Sequence, residues 1–62
     1  MNINIGDKVR IKTSLKRGLG VCKEQLMYKG NEYIVAFKLG YNAVLLKGND
    51  FVWNQEDLEV ID

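Results

Sequence analysis

Between Asn31 and Asn54 the chain sets out three apolar stretches separated by two turn signals, which commits this part of it to a β-meander. Asn31 to Leu39 is rich in β-branched and aromatic residues and alternates, with Tyr33, Val35 and Phe37 on one face and Ile34, Ala36 and Lys38 on the other. Gly40-Tyr41-Asn42 turns the chain, and Ala43 to Lys47 returns it as a nearly all-apolar strand. Gly48-Asn49 is a two-residue hairpin signal suited to a type I′ or II′ turn, leading into Phe51 to Asn54.

The flanking segments complete a small barrel. Gly6-Asp7 is a turn before a first strand, Lys8 to Thr13, in which Val9 and Ile11 alternate with Lys8, Arg10 and Lys12 and so put its cations on one side. Ser14 to Val21 is a basic, glycine-containing loop, with Leu15 and Leu19 expected to fold back onto the domain. Cys22 to Lys29 can form a turn or two of helix, Leu26 or Met27 plugging the core and Gly30 ending it in a left-handed conformation. Asn54 to Asp57 has the composition of a one-turn helical cap. Leu58 to Ile61 then closes the chain as a last strand, Leu58 and Val60 inward and Glu59 outward. Five short strands, a long loop after the first and a single turn before the last predict an all-β, SH3-like five-stranded barrel, one domain over residues 1–62.

Sixty-two residues bury only about 60% of the surface the unfolded chain exposes, so nearly every large apolar side chain is needed inside. The chain has no His and a single Cys, which removes the commonest general base and the usual zinc ligands; no metal or cofactor is expected. Cys22 has no partner for an internal disulfide and reads as a small half-buried hydrophobe. No apolar run approaches the roughly 20 residues of a membrane helix, and the first residues lack the pattern of a secretory signal, so the expected location is cytoplasmic, away from membranes.

Several segments are similar to known small barrels. Gly6-Asp7-Lys8-Val9-Arg10-Ile11, Met27-Tyr28-Lys29-Gly30 and Phe51-Val52-Trp53-Asn54 with Leu58-Glu59 resemble a group of SH3-like barrel proteins often encoded by phages and prophages of Gram-positive bacteria, mostly without an assigned function. The chain differs from that group in a shorter first loop and in carrying Phe51 and Val52 where further tryptophans are usual. The resemblance implies an accessory protein that acts by protein–protein interaction, for example by occupying the surface of a host enzyme. The opening Gly-Asp-x-Val-x-Ile and the loop Lys16-Arg17-Gly18-Leu19-Gly20 also resemble the KOW element, which implies RNA or ribosome contact.

Three sets of residues are candidates for function. A protein partner would use the aromatics beside the turns and on the fourth strand, Tyr28, Tyr41, Phe51 and Trp53, with Lys16 and Arg17 of the neighbouring loop. Which of Phe51 and Trp53, or Val52, faces the core is left open by a strand that is apolar on both sides. A nucleic acid would use Lys8, Arg10, Lys12, Lys16 and Arg17, with Lys23 nearby. All nine basic residues lie at or before Lys47, however, and five of the eight acids at or after Asp50, so Arg10 is expected to face Glu59 across paired first and last strands. Glu56, Asp57 and Glu59 are the third set, but a helical cap and an exposed strand already account for them, and no catalytic residue is assigned. The chain is therefore expected to be a non-enzymatic binding module for a protein, alternatively for nucleic acid, with self-association as a further possibility.

Overall fold

In the computed structural model, which describes residues 3–18, 20–40 and 42–61, five strands form one antiparallel sheet. They are β1 (Lys8–Ile11), β2 (Glu32–Leu39), β3 (Ala43–Leu46), β4 (Asn49–Asn54) and β5 (Leu58–Val60), in the order β4-β3-β2-β1-β5. Two 3₁₀ helices interrupt them: η1 (Lys23–Tyr28) in the β1–β2 connection and η2 (Gln55–Asp57) before β5. The ladder leaves β4 and β5 as edges, so the sheet is not closed.

The connection between β1 and β2 lies against the β4 edge. Gly20 sits so close to Asn54 that a Cβ there would come within 2.6 Å of its Nδ2. Farther along, the Gln25 side-chain amide donates to the Val52 carbonyl at 3.0 Å, and the Tyr28 ring meets Phe51 and Trp53. Covering an edge in this way keeps it from pairing with another chain. Gln25 also accepts the Cys22 N–H at 2.8 Å through Oε1, which fixes the start of η1 and explains why a polar side chain is buried there.

The core is built from Ile3, Val9, Ile11, Leu15, Val21, Val35, Val44, Leu46, Trp53 and Leu58. Leu15 folds back as the sequence predicts, whereas Leu19 lies outside the described residues. Leu26 packs against the core and Met27 points away, 78% exposed. Cys22 is exposed, because Gln25 and not the thiol makes the inward contact of that turn.

Two irregularities change the faces that strict alternation predicts. Val35 is opposite Leu46 and Phe37 opposite Leu45, so β2 advances two residues while β3 advances one. This bulge reverses the alternation: Val35 is fully buried, and Phe37, expected on the same face, is turned outward and 57% exposed. In the β3–β4 hairpin Leu46 is opposite Asn49, so the loop is Lys47-Gly48 and not Gly48-Asn49. Only Gly48 has a positive φ there, +79°, which excludes the I′ and II′ turns, and the mismatch is taken up as a register shift between Leu45 and Leu46. On β5, Leu58 is buried and Glu59 faces out, but Val60 is 39% exposed although it stands opposite buried Val9, because no strand lies beyond it.

Candidate functional site

Turning Val44 inward on β3 also turns its partner Trp53 inward, and Val52 outward. Trp53 is fully buried; its indole N–H donates to Asn49 Oδ1 at 3.1 Å, and the same oxygen accepts the Phe51 N–H at 3.0 Å. The expectation that Trp53 offers a partner surface is therefore corrected: a ring packed and hydrogen-bonded inside the sheet presents nothing to solvent. Asn49 is itself buried, and its Nδ2 has no hydrogen-bond partner among the described residues.

Above Trp53 three half-buried rings form a surface cluster centred on Tyr28. Its ring centroid lies 5.9 Å from Phe51, 6.2 Å from Trp53 and 6.4 Å from Tyr33, the planes crossing at 59°, 88° and 64°. Phe51 meets Trp53 edge-on at 6.4 Å. Such edge-to-face contacts stabilise the cluster beyond the area it buries, by about 0.5–1.5 kcal/mol per pair. Tyr28 and Phe51, two of the residues proposed for a partner, thus lie together with Tyr33, and all three are half-buried and packed against the core. Tyr41 lies outside the described residues.

The cations of β1 and those of the β1–β2 connection differ in their partners. On the outer face of β1, Lys8 Nζ lies 3.5 Å from Glu32, and Arg10 lies 3.1 Å from Glu32 and 3.5 Å from Glu59. The register places Arg10 opposite both acids, Glu32 on β2 and Glu59 on β5, so the Arg10–Glu59 pairing read from the charge distribution is present. The Arg10 hydrogen bond, aided by the charges of Lys8 and Arg10, holds the Glu32 carboxyl below its ordinary range.

Beyond Lys12, whose charge acts on Asp57, the cations of the connection have no such partners among the described residues. Lys16, Arg17, Lys23 and Lys29 are all exposed and make no ion pair among the described residues. Lys16 and Arg17 stand beside the tight pairing of Gly18 with Val21, near the Asn54 end of β4. Tyr28 with Lys29 lies toward the Phe51 end, so the two halves of the predicted partner surface are spread along one connection.

A recess of about 260 Å³ opens on the η2 side, lined by Lys12, Asn42, Gln55, Glu56 and Leu58. Asn42 Nδ2 donates to Glu56 at 3.2 Å across it. Burial, and then the charge of Glu56, push the Asp57 carboxyl above its usual range, partly offset by an Asn54 hydrogen bond and by Lys12. Each of the three carboxylates Glu56, Asp57 and Glu59 has its own partner, Asn42, Asn54 and Arg10 in turn. Comparison of the chain with family models, with curated proteins and with solved structures finds no match.

Proposed function

We propose that the protein is a small, non-enzymatic, SH3-like binding module that acts by protein–protein contact through its β1–β2 connection. The barrel reading is supported by the strand order, in which the first strand lies between the second and the last, and by the 3₁₀ turn before β5. The role of an accessory protein occupying another protein's surface follows from the likeness to phage-encoded small barrels.

The observation that carries the functional reading is the contrast between the two groups of cations. Those of β1 are paired with Glu32 and Glu59, whereas Lys16, Arg17, Lys23 and Lys29 are exposed and make no ion pair among the described residues, on the segment that also presents Tyr28. A basic surface with half-buried aromatics suits a partner segment in which acidic residues flank an apolar anchor. A nucleic acid is the second reading, favoured by the same free cations. It loses Lys8 and Arg10 from its expected contact set, since their charge is already met within the sheet.

Binding of an acidic peptide with a central aromatic residue, and of a generic duplex, measured across a salt series, separates the two. The protein reading predicts tighter binding of the peptide, weakened by Tyr28→Ala. Preference for the duplex, with log affinity falling by about 0.9 per neutralised phosphate for each tenfold rise in salt, would replace it with the nucleic-acid reading.

A further inference from the structure

We propose that the recess beside η2 binds a small zwitterion, an α-amino acid whose carboxylate meets Lys12 and whose ammonium meets Glu56. The site shares no residue with the surface of Tyr28, Lys16 and Arg17. It is built on the two backbone ties that hold η2 in place. The Gln55 N–H donates to the Asn42 carbonyl at 2.9 Å, which fastens the start of η2 to the β2–β3 turn, and the Lys12 N–H donates to the Asp57 carbonyl at 3.0 Å, which fastens its end to the continuation of β1. Asn42 and Lys12 therefore stand at opposite ends of η2. Glu56, its middle residue, is held toward the Asn42 end, where Asn42 Nδ2 donates to its carboxylate at 3.2 Å.

This arrangement keeps two opposite charges apart. Lys12 and Glu56 line the same recess, yet among the described residues neither makes an ion pair, with the other or with any third group. Lys12 is half-buried, so its ammonium is partly withdrawn from water, and its pull on the Asp57 carboxyl is the weakest of the influences acting there. A charge in that position gains more from a counter-charge than one in open solvent.

The pair of charges selects the ligand. A simple anion drawn to Lys12 is repelled by Glu56, and a simple cation drawn to Glu56 is repelled by Lys12, whereas a dipolar molecule is attracted at both ends. The volume sets its size: about 260 Å³ lies below the range that takes drug-sized molecules and suits about ten non-hydrogen atoms. The inner side is firm, closed by fully buried Leu58 and by Gln55, whose Oε1 accepts the Ile3 N–H at 3.1 Å. A site set on such ties is formed before the ligand arrives.

Titration of the intact, isotope-labelled chain with L-leucine at fixed salt, followed by the amide shifts of its NMR spectrum, tests this. Shifts should saturate at Lys12, Asn42 and Gln55 to Leu58 and not at Tyr28 or Lys29, with a dissociation constant on the order of 1 mM for a ligand of so few atoms. L-Leucinamide, which lacks the carboxylate, and N-acetyl-L-leucine, which lacks the ammonium, should each bind at least about fivefold more weakly. Lys12→Gln should bring leucine down to the level of leucinamide, and Glu56→Gln should bring it down to that of N-acetyl-leucine. The parent chain alone distinguishes the ligands, so the test does not depend on a variant folding. No saturable shift at the recess up to about 50 mM leucine would overturn the site. Analogues that bind as tightly as leucine would overturn the zwitterion, and binding that both variants leave unchanged would overturn the roles of Lys12 and Glu56.

Discussion

Replacing Trp53 by Phe tests the interior position of the indole in two ways, because it removes a hydrogen bond and leaves a space. Trp53 is fully buried and its N–H is met by Asn49 Oδ1 at 3.1 Å. Asn49 Oδ1 keeps the Phe51 N–H, so losing the indole bond costs the net worth of one hydrogen bond, about 0.5–1.5 kcal/mol. The smaller ring loses apolar contact and leaves part of a cavity, adding about 1–2 kcal/mol. Together these come to about 1.5–3.5 kcal/mol. A domain of this size has about 3–9 kcal/mol in all, so the variant should still fold. Its melting temperature should drop by roughly 6–28 °C, at about 4–8 °C per kcal/mol. Thermal and urea unfolding followed by far-UV circular dichroism measure this. Pairing with Asn49→Ala in a double-mutant cycle should return a coupling of about 1 kcal/mol. A drop of under about 3 °C, or no coupling, would refute the sealed position of Trp53.

Gly20→Ala should destabilise the fold by about 1–2 kcal/mol, because Gly20 has φ +76° and a Cβ would push on the Asn54 amide; Gly18→Ala, with open space around it, should stay within about 0.5 kcal/mol of the parent. Equal effects in chemical denaturation would contradict the close approach of the connection to β4. Asp57→Asn removes a carboxyl whose pKa is raised by burial and by Glu56. A raised pKa means that the folded state holds the proton more tightly, so Asp57 lowers stability as pH rises from the ordinary carboxylate range through its folded value, and the penalty persists above it. The Asn variant should be at least as stable as the parent at neutral pH and lose that part of the pH dependence, as melts between pH 3 and pH 8 would show. Glu32 has the opposite sign: its lowered pKa gives stability above the ordinary carboxylate range that is lost as pH falls through the folded value.

The strands were legible wherever a local pattern determines them. Val9 and Ile11 alternate with cations and lie in the core, and the Arg10–Glu59 contact followed from charge distribution once the first and last strands were paired. Parity was legible only where one face is polar. In Phe51-Val52-Trp53 both faces are apolar, so alternation does not distinguish them, and the choice is made by Val44 on the neighbouring strand. The β2 bulge is likewise a property of the pair and not of β2 itself, so strict alternation put Phe37 on the face of Val35. Cys22 read as half-buried from residue type, but Gln25 held the inward bonds, and a buried glutamine is chosen by its two partners, which lie outside any local window. Within the candidate surface, Tyr28 was found from its place beside a turn and Phe51 from its place on the apolar fourth strand. Lys29 stood out only once the cations of β1 were seen to be paired, and Lys23, read as a neighbour of the nucleic-acid set, joined it there.

The central claim is that the charge available to a partner lies on the β1–β2 connection and not on β1. The most direct test compares two neutralised pairs, Lys16→Gln with Arg17→Gln and Lys8→Gln with Arg10→Gln, in affinity for the acidic peptide at fixed salt. Both leave the fold in place, because the ion pairs removed from β1 are exposed to solvent, where such pairs add little to stability. The first pair should weaken binding about tenfold or more, and the second should leave it within about twofold. An equal loss from both pairs, or a larger loss from the β1 pair, would contradict the claim.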